Sequence, residues 1–389
     1  MILTSHPDSA AQRVRARARQ IHPTISIPSD APLDEVLDGL PVLSKADLAR
    51  HLPSEDRWLE TAVLFSETSG TTGQPLQTPR GAGDLAWNAL NQAAAYRRFL
   101  QQGVDRVAIL HPSILSPFIE ASSMALRELG IGQVRVYPIP RVCDYQRIFS
   151  VLERYRITTI MSTPSLVYKL LYEFTRLESG RLPTCLRRLL LTGEELSPAS
   201  IRNLKQIMGP DGLVVPFVYG SSEAATLMLG REDGMFDPVL DDFIFELRDA
   251  GQDDGKKLIV TWLREGLMPI LRYDTGDYFA EASTSSSALR FLGRVGSNTA
   301  ERKFHADVEQ ALYSLAVPVF HYEGRFSEAD RQLDLSVILA SPTNAATAVI
   351  EEALHDRLAS WRIKVHVNPA SMDFLQFSPV PKIGKLTPC

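Results

Sequence analysis

The chain has 389 residues, of which 44% are hydrophobic and 22% charged, an ordinary globular usage that excludes wholesale disorder and fibrous repeats. Its 41 Lys and Arg stand against 46 Asp and Glu, a net charge of −5. Nucleic acid and anionic membrane are therefore not expected as partners, since both need a positive field.

Residues 1–60 read as a helical, proline-punctuated segment. Its arginine ladder, Arg13, Arg15, Arg17 and Arg19, is not followed by the apolar run of a secretory signal. Pro41 and Pro53 bracket a short helix with Leu43, Leu48 and Leu52. Strand-like and helix-like segments then alternate: a strand over 106–110, a helix over 116–129, a strand over 133–137 and a helix over 145–154. A strand over 158–161, a helix over 165–177 and a strand over 186–191 continue the rhythm. That rhythm predicts βα units around a largely parallel sheet, hence an α/β fold.

After about residue 240 the pattern turns to antiparallel strands, over 243–248 and 257–262, separated by Gly251 and the Asp253-Asp-Gly255 turn. Ser283–Ser287 reads as a solvated loop. Beyond Gly293 a small α+β unit is expected, with helices over 308–315 and 347–360 and strands over 333–339 and 363–367. The expected domains are 1–292, a large body of βα units and mixed sheets, and 293–389. No stretch approaches the roughly 18 uncharged apolar residues of a membrane span. Cys143, Cys185 and Cys389 lie far apart without a CxxC pair, which points to a reducing cytosol rather than a zinc ribbon or disulfide framework. A cytoplasmic protein is expected.

The most informative stretch is Thr68-Ser-Gly-Thr-Thr-Gly-Gln-Pro75. Glycines interleaved with hydroxyl residues let backbone N–H groups turn inward as an anion cradle suited to phosphates; a polar hairpin turn is the alternative. It is not a Walker A loop, because GxxxxGK[ST] is absent. Downstream, Tyr219-Gly-Ser-Ser-Glu223 offers an aromatic face and a carboxylate. Arg272-Tyr-Asp-Thr-Gly-Asp277 places a carboxylate after a tight turn, suited to the hydroxyls of a ribose. Pro381-Lys-Ile-Gly-Lys385 sets a lysine on a glycine turn.

In this order and spacing the set resembles the adenylate-forming superfamily of acyl-CoA synthetases and adenylation domains, and most nearly its phenylacetate–CoA ligase-like branch. Leu40-Pro-Val-Leu-Ser-Lys45, Thr163-Pro-Ser165, Leu191-Thr-Gly-Glu-Glu195 and Leu267-Met-Pro-Ile-Leu-Arg-Tyr273 are similar to that branch as well. The resemblance implies that Thr68, Ser69, Gly70, Thr71, Thr72 and Gly73 form the phosphate loop for ATP. It gives Gly193, Glu194, Tyr219, Gly220 and Ser221 to the nucleotide, with Tyr219 stacking on adenine. Glu223 becomes the Mg²⁺ ligand, assisted by Thr71 or Thr72. Asp277 takes the ribose hydroxyls, and Arg294 takes ribose or phosphate. Lys385 matches the lysine that bridges carboxylate and α-phosphate, and His111 lines the acyl pocket. ATP and Mg²⁺ are the implied cofactors. A small carboxylic acid, aryl or arylacetic, is the implied substrate, and CoA or a carrier-protein phosphopantetheine the implied acceptor. The resemblance also makes the C-terminal domain a mobile one.

Two departures stand out. Gln74 sits where the family usually has a lysine, and the run from Arg294 to Lys303 has Gly296 at the hinge but lacks the glycine of the thiol-tunnel loop. An amine or hydroxyl acceptor is therefore an alternative to a thiol. A catalytically silent nucleotide-binding relative is a third reading, against which Lys385 counts.

Overall fold

The computed structural model describes residues 1–52, 55–68, 75–112, 115–139, 141–177, 180–249, 255–283, 286–294, 299–341, 345–368 and 385–389. The chain folds as two compact units, each assembled from separate stretches. Met1–Val104, Ser113–Ile131 and Pro216–Val295 make the first; Asp105–Pro112, Gly132–Val215 and Gly296–Cys389 make the second.

The first unit is built on an antiparallel sheet of eight strands. In spatial order they are Ile2–Leu3, Phe243–Asp249, Lys256–Trp262, Tyr273–Ser283, Ser286–Arg294, Phe236–Pro238, Ala225–Gly230 and Val218–Ser221. Alternation along Phe243–Asp249 shows how one strand serves two cores. Phe243, Phe245 and Leu247 point to a face filled by Trp87, Trp262, Phe279 and Leu289, while Ile244 points to the other, against Val14, Val36, Leu37 and Leu271. The helices Pro7–Ile21 and Leu33–Asp38 supply the second group. Glu246, on the same face as Ile244, is buried and satisfied by Arg272 and Arg248.

The second unit contains the parallel sheet that the alternating pattern predicts. Its strand order is Gly132–Arg135, Arg106–Leu110, Thr159–Ser162, Arg188–Leu191 and Leu213–Pro216. Its helices Tyr145–Arg154, Pro164–Arg176 and Pro198–Met208 start at Asp144, Thr163 and Ser197, whose side chains each accept a backbone N–H of the first turn. A four-stranded sheet follows in the order Arg362–Val367, Gln332–Leu339, Val319–Ser327 and Lys385–Pro388, with helices Thr299–Leu312 and Ala346–His355. The last helix is shorter than expected, because the chain turns at Asp356 to send Leu358 and Trp361 into the core.

Residues after Gly296 share one apolar core with the parallel sheet. Tyr168 stacks on Tyr313 at 5.7 Å and 12°, and Asn203 bonds both backbone groups of Val319, at 2.7 and 3.0 Å. No helix among the described residues is long and apolar enough to cross a membrane.

Candidate active site

In the first unit, the residues on either side of the expected phosphate loop form a short antiparallel ladder. Leu64 pairs with Arg80 and Glu67 with Gln77, and Ser66 Oγ donates to the Thr78 carbonyl. Thr68 closes the ladder: its N–H donates to Leu76 O at 2.9 Å, and its Oγ1 accepts from Leu76 N–H at 3.0 Å. Ser69, Gly70, Thr71, Thr72, Gly73 and Gln74 lie outside the described residues.

Tyr219, Asp277 and Arg294 come together in the same unit. The Tyr219 ring packs against Phe279 at 4.8 Å, Phe291 at 6.0 Å and Phe236 at 6.2 Å. Its hydroxyl donates to Asp277 Oδ2 at 2.7 Å, while Arg294 Nε donates to Oδ1 at 3.1 Å. Burial and then the Asp277 charge push the Tyr219 hydroxyl well above its usual pKa, so it stays a neutral donor. Burial also raises the Asp277 carboxyl, against the opposing pull of Tyr219 and Arg294. Each carboxylate oxygen retains a lone pair beyond its protein partner, the capacity that paired ribose hydroxyls would use. Local chain chemistry aims this group: Asp274 Oδ1 accepts Gly276 N–H at 2.9 Å, and Gly276 takes φ +73°, a left-handed turn suited to glycine.

Glu223 sits on the tight turn after Val218–Ser221 and is buried. Tyr273 donates to Glu223 Oε1 at 2.6 Å, and Lys45 Nζ lies 4.0 Å from the same oxygen. Oε2 has no protein partner among the described residues. A Cβ at Gly220 would come within 2.1 Å of the Ala225 carbonyl, so this glycine is required for the hairpin to close. Among the described residues no group of three or more His, Cys, Asp or Glu is placed to hold a metal. A lone carboxylate with one free oxygen suits Mg²⁺, which takes most of its ligands from phosphate and water.

Lys45, Tyr273 and Arg80 are the residues that sequence reasoning did not assign. Lys45 opens the helix Lys45–His51, which Ser44 and Asp47 cap reciprocally. The segment before it is pinned by the buried Arg272, which forks onto Glu246 at 2.9 and 2.8 Å and donates to the carbonyls of Leu37 and Leu40. Tyr273 and Lys45 both stand inside stretches quoted for the resemblance, so that signal was present. Arg80 carried none.

In the second unit, the C-terminal ends of three neighbouring parallel strands bring together His111, Thr163-Pro-Ser165 and Thr192–Glu194. Ligands of open α/β sheets bind at this end of the strands. Ser165 donates through N–H, at 3.0 Å, and through Oγ to Glu194 Oε2. Gly193 adopts φ +84°, and a Cβ there would lie 3.1 Å from His111 Nε2. Burial pushes the His111 imidazole down to about 4, against a bond with the Thr192 backbone, so the ring is neutral at physiological pH. Lys385 begins the strand Lys385–Pro388, in parallel register with Glu323.

A parallel α/β sheet, an antiparallel sheet bearing the Tyr219 and Glu223 hairpin, and a four-stranded C-terminal sheet define the fold of adenylate-forming enzymes. The chain belongs to the AMP-binding enzyme family, whose model matches residues 1–242. Among solved structures it is similar to 2-hydroxyisobutyryl-CoA ligase in the postadenylation state with 2-HIB-AMP. The TM-score is 0.76 at 16% identity, over 100% of this chain and 91% of that one. It is also similar to the anthranilate CoA ligase AuaEII in complex with anthranoyl-AMP, with a TM-score of 0.53 at 16% identity over 82% and 65% of the two chains. N-(5-amino-5-carboxypentanoyl)-L-cysteinyl-D-valine synthase of Streptomyces clavuligerus is 31% identical over 175 residues, 45% of this chain. The chain spans 20% of that relative's length.

Proposed function

We propose that this protein is an ATP-dependent, AMP-forming ligase that activates a carboxylic acid, aryl or arylacetic, and passes the acyl group to a thiol of CoA or of a phosphopantetheinyl carrier. The observation that carries the reading is the Tyr219–Asp277–Arg294 constellation: a buried carboxylate with a neutral phenol on one oxygen and a guanidinium on the other. By the resemblance, these three residues would take the adenosine.

A carboxylate attacks a polyanionic triphosphate poorly, and its own oxygen leaves carbon poorly. In the first step a carboxylate oxygen bonds to the α-phosphorus, the bridging P–O bond to the β-phosphate breaks, and pyrophosphate departs with the electron pair. In the second, the acceptor sulfur bonds to the acyl carbon and AMP leaves. Asp277 orients the ribose, Tyr219 presents its ring to adenine, and Gly193 and Glu194 keep their role as nucleotide contacts. The hydroxyls and amides of 68–73 hold the β- and γ-phosphates. Glu223 would hold Mg²⁺, which would supply charge neutralisation on the triphosphate. Lys385 bridges the incoming carboxylate and the α-phosphate, a contribution of roughly 3–4 kcal/mol for one well-placed group. A buried, neutral His111 suits an uncharged aryl body in the acyl pocket. The run after Arg294, short and without the loop glycine, favours an amine or hydroxyl acceptor as the second reading.

The test is mass spectrometry of the enzyme with ATP, Mg²⁺ and a panel of aryl and short-chain acids, with CoA present and absent. Acyl-AMP in both arms with acyl-CoA only when CoA is added is the expected result. Acyl-AMP that survives added CoA selects a carrier or an amine acceptor. No adenylate from any acid overturns the proposal.

A further inference from the structure

Arg80 is fully buried, and two of its three guanidinium nitrogens, Nε and Nη1, have no hydrogen-bond partner among the described residues. Burial lowers its pKa to about 10, against the nearby Asp84 and Glu223 charges, so it is a cation at neutral pH. A buried charge with idle donors is a poor way to fill a core; an apolar side chain of similar volume is often equally or more stabilising there. The guanidinium does one thing that methionine cannot. Its Nη2 donates to two consecutive carbonyls, Ser222 O and Glu223 O, the latter at 3.0 Å.

Three further features converge on the same turn. The Trp262 ring lies under the Arg80 guanidinium at 5.3 Å, and its Nε1–H donates to Ala224 O at 2.9 Å. Three successive carbonyls, 222 to 224, are thus held by this arginine–tryptophan pair. Ser221 Oγ accepts Ala224 N–H at 3.1 Å. Ala225, not a glycine, sits at φ +69°. A left-handed non-glycine residue costs of order 1–3 kcal/mol and persists only where its surroundings over-determine it. The Arg80 backbone in turn pairs with Leu64, in the ladder that ends at the Thr68–Leu76 pair. One residue therefore belongs to both the Leu64–Arg80 ladder and the turn that carries Glu223.

We propose that Arg80 is a positioning residue: it locks the 222–225 turn to the Leu64–Arg80 ladder and so fixes the Glu223 carboxylate for a divalent cation brought in with the nucleotide. The inference rests on the reading of Glu223 as the cation ligand.

The experiment measures equilibrium Mn²⁺ binding, by electron paramagnetic resonance with a non-hydrolysable ATP analogue, together with Tm. The proteins are the wild type, Arg80→Met, Arg80→Lys, Glu223→Gln and the double variant Arg80→Met/Glu223→Gln. Loss of an outer partner of a metal ligand typically costs about 10–100-fold in affinity, so Arg80→Met is expected to weaken Mn²⁺ binding at least about tenfold. The double variant is expected to bind no more weakly than Glu223→Gln alone. Arg80→Lys keeps the charge but not the fork, should lose part of the affinity, and carries the comparison if the methionine variant does not fold. Wild-type Mn²⁺ affinity with a lowered Tm would make Arg80 purely structural. Additive losses in the double variant would place its effect elsewhere than Glu223; either result overturns the proposal. Unchanged affinity in Glu223→Gln would instead remove the ligand reading on which it stands, and the proposal with it.

Discussion

Tyr219 and Asp277 are a donor and an acceptor that need each other. Removing the phenol hydroxyl leaves one oxygen of a buried carboxylate without its partner, and a hydrogen bond to a charged group is worth about 1.5–3 kcal/mol. Tyr219→Phe is therefore expected to weaken ATP binding by at least about tenfold, measured by calorimetric titration, while the ring remains for stacking. Wild-type affinity in that variant would mean that Asp277 is not used by the nucleotide. His111 lends itself to a pH argument. Its folded pKa lies near 4, below the unfolded 6.5, so the stability it contributes is complete above about 6.5 and is lost as pH falls toward 4. His111→Gln should flatten that part of the stability–pH curve, followed by denaturant unfolding between pH 4 and 7. An unchanged slope would show that the ring is not held neutral.

Turns decide more of this site than helices or strands do. Gly276 aims Asp277, and Gly276→Ala forces a left-handed alanine, which costs about 1–2 kcal/mol. Both a lower Tm and weaker nucleotide binding are expected; a lower Tm with unaltered binding would detach the turn from the site. The glycine and the aspartates of this turn were legible in the sequence because turn chemistry is local. The parallel strands were legible as well: Arg106–Leu110 and Arg188–Leu191 are short apolar runs at the ends of βα units. The helix Ala82–Arg97 was not, and the reason is physical. Asp84, Asn88 and Gln92, spaced at four, point a polar stripe into the protein, with each residue almost completely buried. That inverts the periodicity by which a helix is recognised. Val319–Ser327 was missed although it carries a strand pattern: Phe320, Tyr322 and Phe326 alternate with His321, Glu323 and Arg325, and Gly324 is the one gap in the apolar row. Arg80 and Lys45 act through partners more than a hundred residues away, information that no local pattern carries.

On the scale of the whole molecule, the second unit holds a carboxyl with an unusual task. Glu309 is half-buried beside Tyr168, Tyr313 and Tyr322, accepts from Ser197 Oγ at 2.8 Å and has Glu195 nearby. Burial pushes its pKa up to about 7, the Ser197 bond opposing and Glu195 adding to the rise. The unfolded chain sheds this proton near the ordinary 4.5, so folding stability should fall as pH rises from about 4.5 to 7 and then level off. Glu309→Gln keeps the acceptor and loses the charge. Its Tm should exceed that of the wild type at pH 8 and match it at pH 4.5; equal pH slopes for the two proteins would sink the argument. At the same scale, Lys385→Ala is expected to abolish acyl-AMP formation while ATP binding survives. Undiminished adenylation would remove Lys385 from the reaction.

The core shared by the parallel sheet and the residues beyond Gly296 has a consequence for synthesis. Leu110, Leu191, Phe320 and Leu386 line one apolar cluster. As the chain leaves the ribosome, the parallel strands emerge with their helices, and the side chains that complete their packing follow a hundred or more residues later. Contacts of such wide sequence separation form slowly, and until they form Phe174 and Leu204 stand uncovered. The nascent chain thus passes through a long interval as a half-finished sheet, a species that chaperones would hold.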